Sequence, residues 1–353
     1  MIELVVPDGT IEINAEAYKN RSDIAAVILP PSLKHIGDKS FYSCKNLHRI
    51  TFPDSIETIG GQAFADCVNL EGVEIPSSVK NIEICAFRNC RNMKKLIIHP
   101  GVERIEHYAF GACENIASVE LPHTLAYLGP QAFIHCSKLE NIVFPDGLTN
   151  LKKETFGYCT SLTQISLPAG LLRIGENTFS CCERLEKISL PDGLRYIGAG
   201  AFSSCISLTA MVIPDSVAFI DAMAFIDCKK LKLIKLSPNL TSIENGTFER
   251  CASLVNIELP HGITRIDRRA FADCAGLVSI KLPPALETIL HPAFPGCVNL
   301  ADVEINRKEP PDVHEDCFRG TAIDRGYLRI PKGCVYRYDK DPGWMGFRHI
   351  REL

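Results

Sequence analysis

Leu70-x-x-Val73-x-Ile75-Pro76-x-x-Val79-x-x-Ile82-x-x-x-x-Phe87-x-x-Cys90 is one turn of a pattern that fills most of the chain, and Met93 opens the next turn. Its phenylalanines recur every 23 residues, from Phe41, Phe64 and Phe87 to Phe271 and Phe294. Cysteines keep step three residues behind, from Cys44 and Cys67 to Cys274 and Cys297. A fixed period in this range marks a solenoid, in which each repeat buries its apolar face only against its neighbours.

Within a turn, the alternation at Leu70-x-x-Val73-x-Ile75 predicts a short strand, with Val73 and Ile75 inward and Gly72 and Glu74 outward. A proline follows in most turns (Pro30, Pro53, Pro76, Pro122) and cannot donate to a ladder, so the strand ends there. His99 and Ser237 take its place in two turns, with Pro100 and Pro238 one residue late. Val79 and Ile82 face inward again. The residue after the isoleucine is glycine (Gly60, Gly129, Gly175, Gly198) or acidic (Glu83, Glu106, Asp221, Glu244, Asp267), which suits the start of a short helical turn carrying Phe and Cys. The expected fold is therefore α/β: a parallel sheet on the concave side, short helical turns on the convex side and a phenylalanine spine between. Phe179→Ala would cost about 3–5 kcal/mol on that reading.

The repeat overrides the two or three domains that 353 residues could hold, and predicts one domain over 1–353. Residues 1–23 read as an N-terminal cap turn, with Tyr18 in the phenylalanine position and Arg21 in the cysteine position. Residues 24–305 are the regular repeats. Residues 306–353 are an irregular C-terminal cap, since Phe318 follows Phe294 by 24 residues and Trp344, the only tryptophan, can cover the last turn.

Hydrophobic residues at 46% and charged residues at 23% are ordinary for a folded chain. A formal charge of −4 offers no field for a phosphate backbone, which argues against nucleic acid. No apolar run approaches the roughly 20 residues that span a bilayer. Met1 to Asp8 has no basic start, apolar core or cleavage site. The chain reads as cytoplasmic as it stands, or as secreted or cell-surface if a signal peptide has been removed.

Of the 16 cysteines, 12 hold one repeat position and read as reduced packing thiols; Cys85, Cys181, Cys317 and Cys334 lie outside the ladder. No cysteine or histidine spacing matches a zinc site. His135 beside Cys136 reads as a surface histidine next to a packing thiol, and His314-Glu315-Asp316-Cys317 as part of an irregular loop. Gly198-Ala199-Gly200 lacks the third glycine of a dinucleotide loop, and the sequons at Asn20, Asn239 and Asn245 matter only in a glycosylating pathway. No catalytic, cofactor-binding or metal-ligating set emerges.

The turn Leu185-x-x-Ile188-x-Leu190-Pro191-x-x-Leu194-x-x-Ile197-Gly198-x-x-Ala201-Phe202-x-x-Cys205 resembles the BspA-type leucine-rich repeats, and Ile330-Pro331-Lys332-Gly333 with Gly343-Trp344 looks like that family's closing repeat. The resemblance implies a leucine-rich repeat solenoid with no shared catalytic motif. It also implies an interaction or adhesion role of the kind met in host-associated bacteria.

What remains to read is surface. Outward strand positions are mostly polar, but Ala210, Val212 and Leu233 lie on adjacent turns, flanked by Lys232 and Lys235, with Lys95, Ile97 and Val143 further back. An apolar centre with a charged rim is the composition of a binding patch; β-branched residues also simply suit strands. The expectation is a non-enzymatic module binding a protein, from a host or a cell surface, on this face. Carbohydrate or matrix recognition is the alternative, and an enzyme with a site in the 306–327 loop a remote one.

Overall fold

A computed structural model describes residues 1–353. The chain divides into two compact units, Met1–Leu171 with Cys181–Glu183, and Leu172–Ser180 with Arg184–Leu353. Each is a solenoid of parallel strands. In the first, Ile2–Val5, Ile24–Ile28 and Arg49–Thr51 form one sheet. Gly72–Ile75 pairs with Lys95–Ile98, and Ser118–Glu120 with Asn141–Val143. In the second, Ala210–Val212 pairs with Leu233–Lys235, and Ser279–Leu282, Asp302–Ile305, Leu328–Ile330 and Ile350–Glu352 follow one another. Val73 faces Leu96 and Ile280 faces Val303, the 23-residue period of the sequence. The step changes at the two chain ends: Ile2 sits opposite Ile24 before a register shift, and near the C-terminus Leu328 sits opposite Val303 and Ile350 opposite Leu328.

A second parallel ladder, absent from the sequence reading, is built from strands of only two residues. In the first unit Glu12–Ile13, His35–Ile36, Thr58–Ile59, Asn81–Ile82, Arg104–Ile105 and Tyr127–Leu128 stack in order. In the second, Arg173–Ile174, Tyr196–Ile197 and Phe219–Ile220 form one stack, and Ser242–Ile243 through Asp312–Val313 another. Two residues are too few for alternation to register as a period, so only the inward isoleucine shows in the sequence.

The helical turns expected on the remaining side do not form. The chain's one helix, Val335–Tyr338, lies in the C-terminal cap. The reason is where the backbone hydrogen bonds go. Around Phe64, the N–H groups of Gln62, Phe64 and Asp66 donate to Ile84, Ala86 and Arg88 of the next turn, while those of Ala63, Ala65 and Cys67 donate three residues back. An α-helix would keep every N–H within the segment. Gln62 and Asp66, two residues either side of the phenylalanine, adopt φ of 56° and 61°, and the left-handed region interrupts any helix. Glycine after the isoleucine is thus not a helix start. At Gly60 a Cβ would come within 2.7 Å of the Asp38 backbone nitrogen, so the turns approach too closely for a side chain.

The phenylalanine spine is present in both units. Rings from Phe41 to Phe156 stack at centroid separations of 5.2–5.8 Å, and those from Phe179 to Phe318 at 5.4–5.7 Å. Tyr18 opens the stack against Phe41 at 5.1 Å. In the second unit Trp344 and Phe347 close the stack against Phe318 at 5.6 and 5.4 Å, with Trp344 fully buried. The ladder cysteines are buried and carry no disulfide. Each thiol donates to the carbonyl of the aromatic one turn back: Cys67 to Phe41 at 3.1 Å, Cys90 to Phe64 at 3.2 Å and Cys297 to Phe271 at 2.9 Å.

Candidate binding surface

Strand alternation sets the outward face of the long-strand sheet. Met211 and Ile234 point into the core, and their neighbours Ala210, Val212, Leu233 and Lys235 point out. In register, Leu233 lies opposite Ala210 and Lys235 opposite Val212. Val212 is 63% exposed and Leu233 65% exposed, more than any other large apolar residue within a strand. Lys232, whose N–H donates to Thr209, is exposed beside them. The second unit therefore brings Ala210, Val212, Lys232, Leu233 and Lys235 onto two adjacent turns. Beside Leu233 an open groove of about 530 Å³ is lined by Lys235, Pro238, Asn256, Glu258 and His261.

The apolar area is larger than the alternation pattern indicates. Val255 and Val278 are 48% and 45% exposed, and the Val278 N–H donates to the Val255 carbonyl at 3.1 Å. By the 23-residue period Val255 follows Lys232, diagonal to Leu233. These valines precede the alternating positions, so a strand-only reading passes over them.

Lys95, Ile97 and Val143 lie in the first unit. Lys95 is exposed opposite Gly72, and Ile97 is half-buried opposite Glu74. Glu74 is tied to His99 at 2.7 Å, which lowers its carboxyl pKa. Val143 is opposite Glu120, so an acidic turn separates it from Ile97. Both line one groove of about 660 Å³ with Ser118, Glu120 and His123, but they form no continuous apolar patch.

Of the remaining candidates, His135 and His314 are exposed and the cysteines near them are buried. His135 stacks on Tyr158 at 4.4 Å, while the Cys136 thiol donates to Phe110. His314 stacks on His291 at 4.5 Å and accepts the Asp316 N–H at 3.1 Å; Cys317 is buried. No helix is long and apolar enough to cross a membrane.

A family model described as the BspA type leucine-rich repeat region matches residues 11–137, 103–232 and 195–324. No curated protein matches the chain. Among solved structures, a leucine-rich repeat protein from Bacteroides ovatus is 26% identical with a TM-score of 0.60, over 91% of this chain and 92% of that one. A leucine-rich cell surface protein from Faecalibacterium prausnitzii is also 26% identical, with a TM-score of 0.52 over 86% and 87%. A leucine-rich repeat protein from Eubacterium ventriosum, 21% identical with a TM-score of 0.55 over 77% and 76%, shares the fold. With three overlapping matches running from residue 11 to residue 324, the 23-residue turns and their phenylalanine spine identify the chain as a member of the BspA-type leucine-rich repeat family.

Proposed function

We propose that this chain is a non-enzymatic interaction or adhesion module that binds a protein partner on the outward face of its long-strand sheet, all 353 residues acting as one module. The observation that carries this reading is the exposure of Val212 and Leu233 on adjacent turns, with Lys232 and Lys235 around them and Val255 and Val278 beyond. An apolar centre excludes water from the contact, and a charged rim steers encounter and fixes register. A cell-surface relative at 26% identity supports adhesion as the setting.

The test is a capture experiment with the wild-type chain beside a Val212→Asp/Leu233→Asp variant, against lysate of the source cell and against host extracellular proteins. Both side chains already face water, so the variant is expected to keep the wild-type Tm within about 2 °C. A protein retained by wild type and lost by the variant supports the reading. Identical capture by both would show that the patch is ordinary strand composition.

A further inference from the structure

At the C-terminal end of the second unit, Leu328 and Ile330 are fully buried, which turns Tyr327 and Arg329 outward. The next strand sets Arg351 opposite Arg329, with His349 beside Tyr327. Among strand residues paired across turns, Arg329 and Arg351 are the one like-charged pair. Elsewhere the turns place opposite charges together: Lys281 meets Glu304 at 2.7 Å, and Lys34 meets Glu57 at 2.8 Å. Like charges directly opposite in a ladder are destabilising, at a strand spacing of about 4.8 Å.

Within the chain the pair is relieved on one side only. The Arg351 guanidinium lies 3.8 Å over the Tyr327 ring and makes no ion pair. Arg329 reaches only Asp302, at 3.5 Å, and the other Asp302 oxygen already accepts the Tyr327 N–H at 2.8 Å.

We propose that Tyr327, Arg329 and Arg351 form a carboxylate-binding site for an acidic segment of a protein partner, one carboxylate lying between the two guanidiniums. The proposal rests on the reading that the outward strand face binds protein, and supplies the partner's chemistry. Guanidinium forks match carboxylate geometry, and a bridging anion converts the repulsion of the pair into two attractions. The Tyr327 ring holds Arg351 in place before binding, which lowers the ordering cost. Tyrosine and arginine together are also the composition of interface hot spots. Asp302 and Glu304 flank the pair, so a singly charged carboxylate fits where a doubly charged phosphate meets repulsion.

The probe is a fluorescent peptide of alternating Glu and Gly, with a Gln-for-Glu counterpart, titrated against the full chain by anisotropy. The Glu peptide is expected to bind at least tenfold tighter than the Gln peptide, and to weaken at least tenfold in Arg351→Glu and in Arg329→Ala. Arg351→Glu removes a like-charged contact, so its Tm is expected to be no lower than wild type. Val212→Asp/Leu233→Asp is expected to bind the peptide within twofold of wild type. Equal affinity for the two peptides, undiminished binding by Arg351→Glu, or phosphate competing at lower concentration than acetate would each overturn the site. Such a failure beside a partner lost only from Val212→Asp/Leu233→Asp would leave the broader reading standing.

Discussion

The thiol of Cys113 donates to the carbonyl oxygen of Phe87, 3.2 Å away on the preceding turn. That oxygen also accepts the Cys90 N–H within its own turn, so the cysteine ladder bonds to the backbone beneath the phenylalanine spine as well as filling space. Cys113→Ala removes the sulfur and one of the two bonds to that oxygen. It is expected to cost about 1–3 kcal/mol, read from denaturant unfolding midpoints. A change below about 0.5 kcal/mol would reduce the thiol to filler.

Only a protonated thiol can make that bond, and burial keeps it protonated: the Cys113 pKa is pushed up to about 12 and that of Cys44 to about 11. Cys85 and Cys181 are half-exposed. Alkylation of the native chain at pH 8, followed by peptide mass spectrometry, is expected to modify Cys85 and Cys181 and to spare the ladder until denaturant is added. Ladder labelling at the rate of an exposed thiol would contradict the buried arrangement.

Phe202 is fully buried between Phe179 at 5.6 Å and Phe225 at 5.5 Å. Phe202→Ala is expected to cost about 3–5 kcal/mol by chemical denaturation, since no neighbour on a fixed repeat can collapse into the gap. Tyr18 is half-buried at the open end of the stack, so Tyr18→Ala is expected to cost less than half as much. Equal costs would deny the end effect expected of a stacked array.

Glu249 is nearly buried, its side chain 6% exposed, and accepts two hydrogen bonds from Arg269 at 2.8 and 2.9 Å. Arg269 is the main reason its carboxyl pKa falls below the usual 4.5. The folded value is the lower one, so the pair contributes stability in full above about pH 4.5, and that stability is lost as pH falls through the folded pKa. Glu249→Gln is expected to cost about 1–3 kcal/mol at pH 7 and to flatten the loss of Tm between about pH 5 and pH 3. An unchanged acid slope would remove Glu249 from the acid response.

The sequence by itself determined the repeat, the inward residues of the long strands and the phenylalanine spine. It could do so because one residue, repeated at one spacing, has a single stacked solution. It also picked out Val212 and Leu233, because alternation assigns their side of the sheet. Only the tertiary structure decided the rest. The short ladder arises from N–H groups that pair with the preceding turn, such as Gly60 with Ile36, and the left-handed residues around Phe64 go with N–H groups that pair with the following turn; bonds between turns leave no mark in any one repeat. The like-charged meeting of Arg329 and Arg351 likewise depends on a register that departs from 23 residues in the last two turns of the long-strand sheet, where no repeat predicts which side chains become neighbours.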